Sequence, residues 1–271
     1  MKKVLRIRKI FPHVILMLIA FISVFPILWM AFSASNTSNE ILAGKLFPGT
    51  NLIENFNNLK NAQNLFGALK NSIINSVTVT LLTLFVCSLA GYGFEIYHDK
   101  IKDTLFAILL LSMMIPFAAI MIPLFQLFSS IKLLNSVWAI VLPTIATPFM
   151  IMLFRQSARA FPKDLIEASR MDGLTEFGIF LRVFVPTMRS TYAAAMTVAF
   201  MGAWNNYLWP KVVLNKKEAI TVPMLTANLV AGYVTDFGQV MLAVLIATIP
   251  TAIVFFSLQK AFSNGIMGAI K

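Results

Sequence analysis

Residues 161–173 gather Lys163, Asp164, Glu167, Arg170 and Asp172 around the small side chains Ala168, Ser169 and Gly173. Charged groups beside small ones suit close docking against another surface. They do not suit a reaction: the chain has no His-Glu-x-x-His pattern, no nucleophile elbow and no pair of acids inside an apolar stretch. A second group, Trp204-Asn205-Asn206-Tyr207, runs on into Leu208-Trp209-Pro210. Aromatic faces with amides are what a site for a hydroxyl-rich solute needs, yet Tyr207 and Trp209 would equally serve as anchors at a membrane interface. Metal chemistry is not expected, because Cys87 is the single cysteine and His13 and His98 lie far apart. Nor does the chain carry a phosphate-binding G-x-x-x-x-G-K-[ST] loop, since Gly44-Lys45 lacks both the earlier glycine and the following hydroxyl.

The element that must position the first group reads as a short helix over residues 162–173. Pro162 suits the first helical position, Asp164 the positive N-terminal end, and Gly173 the left-handed position after the last turn. At about 100° per residue, Leu165, Ala168, Ser169 and Asp172 share a face, and the small residues at its centre would let another protein lie close. This helix sits within a charged connector, residues 155–189, between long apolar segments.

Those segments place the chain in the membrane class: 58% of its 271 residues are hydrophobic and 12% charged, against about 25% charged in a soluble domain. Six stretches approach the roughly twenty apolar residues a span requires, at 10–33, 72–94, 104–128, 137–154, 190–214 and 240–258. The expected fold is an all-α membrane protein of six transmembrane helices with both termini cytoplasmic. Residues 1–9 form a basic cytoplasmic start, 10–260 the six-span domain with the 155–189 loop inside the cell, and 261–271 a cytoplasmic tail. The first stretch is uncharged for longer than a signal peptide's core, so it reads as a retained anchor, although Ser33-Ala34-Ser35 could pass as a cleavage site. Fifteen Lys and Arg fall on the assigned inner side and seven on the outer, in keeping with the positive-inside bias. Membrane topology thus accounts for the net charge of +11, and no nucleic-acid partner is expected.

Gly91 and Gly93 at the end of the second stretch permit close helix contact. Pro116, Pro123, Pro143 and Pro148 remove backbone donors from the third and fourth, so kinks are expected there; a translocation pathway and ordinary kinked packing explain them equally. The tail holds Gly265 and Gly268, which argues against a stable helix. No ionisable group lies in the central part of any stretch, which weighs against an autonomous proton-coupled carrier. Energy for transport would have to arrive through a partner.

Glu167-Ala168-Ser169-x-x-Asp172-Gly173, followed by Phe180 and by Pro186 nineteen residues after the glutamate, resembles the EAA loop of permease subunits in binding-protein-dependent ABC importers. Ser169 stands where a second alanine is usual, Leu174 where a small residue is, Val183 and Val185 replace Ile and Leu, and Ser190 replaces a further proline. The six stretches, the Trp204 to Pro210 run and the ending at Gly265 and Gly268 resemble the carbohydrate branch, in particular the maltose-type G subunit. The resemblance implies a type I importer permease fold and a heterodimer with a second permease subunit. It further implies two ABC ATPase subunits that supply ATP and Mg, an extracytoplasmic sugar-binding protein, and no cofactor in this chain. The 162–173 helix would then sit in a cleft of the ATPase, with Leu165, Glu167, Ala168, Ser169, Asp172 and Gly173 as coupling residues, Gly265 and Gly268 as a second contact, and Trp204, Asn205, Asn206 and Tyr207 as pathway candidates. An autonomous secondary transporter is the alternative, with a scaffold membrane protein behind it.

Overall fold

The computed structural model describes residues 2–62, 64–232 and 235–269, with side chains over 12–61, 64–232 and 235–260. Every regular element among them is helical. The chain forms two compact units, one comprising the chain up to Leu65 together with Leu225–Ile249, the other Phe66–Met224 with the chain from Pro250 onward.

The first unit begins with α1 (Lys2–Ser33), whose part from Pro12 onward has a mean hydropathy of 2.6 and exposes Leu16, Met17 and Phe21. A polar knot follows it. Asn55 in α3 (Leu52–Ala62, after the short α2, Ser38–Leu42) donates to the carbonyls of Ala34 and Asn36 at 2.9 and 3.0 Å, and Asn36 donates to that of Phe47 at 2.9 Å. Thr37 and Glu40 close a reciprocal capping box on α2, and Ser38 donates to Asp236 at 2.9 Å. Gly238 packs so tightly here that a Cβ would stand 2.8 Å from the Asn36 carbonyl oxygen.

The second unit is built on α4 (Leu65–Ile96), an uninterrupted helix of 32 residues without proline. The next three apolar stretches are each divided, the third and fourth at the prolines from which kinks are expected, the fifth without such a signal. In the third, α5 (Lys100–Ser112) and α6 (Phe117–Ser130) meet at 101°, with Pro116 as the first residue outside α6. The fourth divides into α7 (Val137–Val141) and α8 (Pro148–Arg159), with Pro143 in the break and Pro148 opening α8. After the connector helices α9 (Lys163–Met171), α10 (Glu176–Ile179) and α11 (Val185–Thr187), the fifth divides into α12 (Arg189–Trp204) and α13 (Leu208–Val213). Proline supplies no ladder donor, which favours a break where it falls. Among the described residues three helices are therefore long and apolar enough to cross a membrane unaided, or four if the bent α5–α6 pair counts as one.

After α14 (Val222–Val230), the last helix, α15 (Phe237–Ala269), contributes to both units and carries Pro250 inside it. It continues through Gly265 and Gly268, so the expectation that these glycines would prevent a helix is corrected: propensity is a weak prior at the end of so long a helix. What the tail touches lies outside the described side chains. Trp209 is wholly buried; its indole N–H donates to the Ala139 carbonyl at 2.8 Å and its ring meets Phe117 and Phe128 edge-on.

Candidate functional site

The connector helix α9 is bolted to the second unit by one face. Phe161 just before it and Ile166 within it are each 3% exposed, and they enter a cluster with Tyr92, Ile179, Phe180 and Phe184. The rings interlock, Tyr92 lying 4.8 Å from Phe184 and 5.4 Å from Phe180 between centroids. A π-helical turn, Phe180–Phe184, completes this base; the Val185 N–H reaches back five residues to Phe180, one position before Pro186.

Both ends of α9 are set by local chemistry. Pro162 stands one position earlier than expected, as the cap itself with extended ψ of 117°, and Lys163 opens the helix. Gly173 adopts φ +80°, the Leu174 N–H bonds to Ser169 O at 3.1 Å and the Gly173 N–H to Arg170 O at 3.0 Å. That pair of bonds is a Schellman closure, and it demands the left-handed conformation that glycine adopts freely.

Of the sequence-derived face, Leu165, Ala168 and Asp172 are exposed, as is Glu167 beside them. Ser169 is not. It is 8% exposed and its hydroxyl donates to the Leu165 carbonyl at 2.6 Å, because it lies one turn on from the anchor Ile166 and so turns inward with it. The outer face is completed by Met171, 89% exposed, which continues the spacing of Leu165 and Ala168. A methionine on an otherwise charged helix was the available signal for it.

A polar brace ties α9 to the end of α4. Arg170 donates to both Glu176 oxygens at 2.7 and 3.3 Å, and the Tyr97 hydroxyl donates to Glu176. The Arg170 guanidinium, then the Tyr97 hydroxyl, hold the Glu176 carboxyl below the usual range, while burial and then Glu176 push the Tyr97 phenol up to about 12.

A second ionic group lies at the foot of α8. The Arg155 side chain, 5% exposed, gives Nε to Glu95 at 3.2 Å and Nη2 to Asp103 at 2.6 Å. Its guanidinium carbon stands 4.3 Å from the centroid of the Phe106 ring. Arg159 shares Glu95 at 3.2 Å, and His98 Nε2 lies 3.0 Å from Asp103. The bond from Arg155 is the first cause holding the Asp103 carboxyl low.

Higher in the second unit a cavity of about 280 Å³ is walled by α4, the α7–α8 region and α12, with Asn75, Thr83, Thr144, Thr147, Phe149 and Asn206 among its lining. Only Asn206 of the four pathway candidates reaches it. Trp204 is 2% exposed and stacks on Phe200, Asn205 closes the end of α12, and Tyr207 is 38% exposed beside α13. The threonines were not readable as a set, since α4 and the α7–α8 break bring them together from distant parts of the chain. No group of His, Cys, Asp and Glu fit to hold a metal occurs among the described residues.

Residues 88–268 match the family of binding-protein-dependent transport system inner membrane components. The chain is 42% identical over 266 residues to the lactose transport system permease protein LacG of Rhizobium radiobacter, covering 98% of this chain and 97% of that one. It is 33% identical over 261 residues to the arabinooligosaccharides transport system permease protein AraQ of Bacillus subtilis, covering 94% and 93% respectively. In fold it is similar to a chain of a bacterial ABC transporter involved in the import of the acidic polysaccharide alginate, with a TM-score of 0.80 at 21% identity over 95% of this chain and 97% of the other.

Proposed function

The chain belongs to the family of binding-protein-dependent transport system inner membrane components, and on that footing we propose that it is the non-catalytic permease subunit of an ATP-driven oligosaccharide importer. It pairs with a second permease subunit, takes its solute from an extracytoplasmic sugar-binding protein, and receives mechanical work from two ATPase subunits that hold ATP and Mg. The chain crosses the membrane six times, the interrupted stretches crossing as broken spans, with both termini and the connector on the cytoplasmic side.

The observation that carries the reading is α9: a short helix anchored by Ile166, closed by Gly173, and presenting Leu165, Glu167, Ala168, Met171 and Asp172 outward. An exposed Leu and Met around a central Ala give a partner an apolar seat, and the flanking acids fix its register. Ser169 acts from inside this helix and not on the contact face. The sugar class is supported by the names of the relatives and by the cavity's amides and hydroxyls beside Phe149. ATP binding closes the ATPases, the docked helices follow, and the permease pair exchanges inward for outward access.

The test is reconstitution with the cognate permease partner, ATPase and binding protein in proteoliposomes. ATP-dependent uptake of a labelled oligosaccharide is expected, with Glu167→Lys or Gly173→Pro abolishing uptake while leaving membrane insertion intact. Undiminished uptake in those variants sinks the docking assignment. Uptake by this chain alone, driven by an ion gradient without ATP, sinks the importer reading.

A further inference from the structure

Two helices run from the cavity to the connector, and they are tied together at the connector end. Along α4, Asn75, Val79 and Thr83 line the cavity, and Glu95 and Tyr97 lie at its end, about 18 Å further on at 1.5 Å per residue between Thr83 and Glu95. Along α8, Phe149 and Met150 line the same cavity, and Arg155 and Arg159 stand about one and a half and two and a half turns after Met150, just before Phe161 and α9. Where the two helices cross, Gly91 removes all spacing: a Cβ there would stand 2.6 Å from Phe154 Cβ and 2.7 Å from the Arg155 backbone nitrogen. The backbones are thus in direct contact at Phe154 and at the buried arginine itself, whose two arms end on α4 and on α5.

We infer that Arg155 is a positioning residue for transport, a cross-tie that makes α4, α5 and α8 move as one body with the docked α9. The inference rests on the docking role of α9 and adds the route by which its displacement reaches the cavity wall. A guanidinium is suited to this place, since its rigid fork satisfies two carboxylates at once while its face lies on Phe106. Arg159 Nε also reaches Glu95 and His98 Nε2 lies beside Asp103, so each carboxylate has a second partner besides Arg155. Without it, α9 and α4 would stay joined through Tyr92 and the Glu176 brace while α5 lagged behind, and hydrolysis would proceed without a full change of access.

The distinguishing measurement is solute transported per ATP hydrolysed by the reconstituted, binding-protein-stimulated transporter. Arg155→Met is expected to lower that ratio at least five-fold while hydrolysis stays within two-fold of the parent, and Arg155→Lys, which keeps a cation there without the two-armed fork, is expected to restore part of it. If the Met variant fails to accumulate, Asp103→Asn removes one exposed arm only and is expected to lower the ratio at least two-fold. An unchanged ratio in Asp103→Asn or Arg155→Met, or a parallel loss of transport and hydrolysis, overturns the cross-tie. Glu167→Lys is run alongside with co-purification of the ATPase as its readout. Retention of the ATPase there refutes the docking role, whereas loss of the ATPase there with an unchanged ratio in Arg155→Met refutes only the tie.

Discussion

Single residues decide whether α9 has a defined end and whether the polar knot survives acid. Gly173 sits at φ +80°, where an L side chain strains the backbone by about 1 kcal/mol. Nothing lies within 4 Å of its would-be Cβ, so the strain is conformational and not steric. Gly173→Ala should therefore speed amide exchange across residues 170–174 about five-fold without unfolding the chain; exchange equal to the parent's would contradict the Schellman closure. Glu40 offers a pH test. Its carboxyl is held at about 2, below the ordinary 4.5, first by Lys45 and then by the Thr37 backbone and hydroxyl. A depressed folded-state pKa contributes stability above the ordinary value and loses it as the pH falls towards the folded one. Protection of residues 37–45 should accordingly be flat from pH 7 to 5 and fall between 4.5 and 2, and Glu40→Gln should remove that step. The role of Gly173 was legible because a left-handed position is a property of the backbone alone. Ser169 was misplaced because its side depends on which neighbouring face Ile166 anchors, and Arg155 was unreadable because its partners lie 52 and 60 residues away.

At the scale of elements, apolar length marked where the chain is membrane-like but not how each stretch breaks. Pro116 and Pro148 announced interruptions, yet the 101° turn between α5 and α6 depends on what the freed groups meet in space. Gly91 and Gly93 show the same limit. Both read as close-contact positions, but only Gly91 touches another helix, and nothing lies within 4 Å of Gly93. Position on the helix surface separates them, since two residues are about 200° apart. Gly91→Ala should destabilise the protein by about 1–3 kcal/mol, because the opposing atoms include backbone that cannot turn aside. Gly93→Ala should be neutral or stabilising by up to about 1 kcal/mol, from helix propensity alone. Thermal unfolding of the purified variants compares them; equal losses would mean that α4 and α8 do not depend on contact at Gly91.

For the whole molecule, the fifteen-to-seven division of Lys and Arg gave the orientation from counts, and the three broken stretches make it testable. If each crosses once, residues 36–71, 129–136 and 215–239 share the outer side and the connector is inside. If only α5–α6 is re-entrant, every later segment changes side, and the connector joins residues 36–71. Cys87 is the single cysteine and is fully buried, so Cys87→Ser provides a background for introduced thiols. Cysteine substitutions at the exposed Asn58, Ser130, Met171 and Lys216 then report four segments through an impermeant maleimide. Asn58→Cys, Ser130→Cys and Lys216→Cys should react in right-side-out vesicles, and Met171→Cys only in inverted ones. Reaction of Met171→Cys beside Asn58→Cys would reject the six-span topology. Reaction of Ser130→Cys on the Met171 side, with the other three as expected, would make both the third and the fourth stretch re-entrant. The connector would keep its cytoplasmic place in that case, and the third and fourth stretches would both enter the membrane from the cytoplasmic side without crossing it.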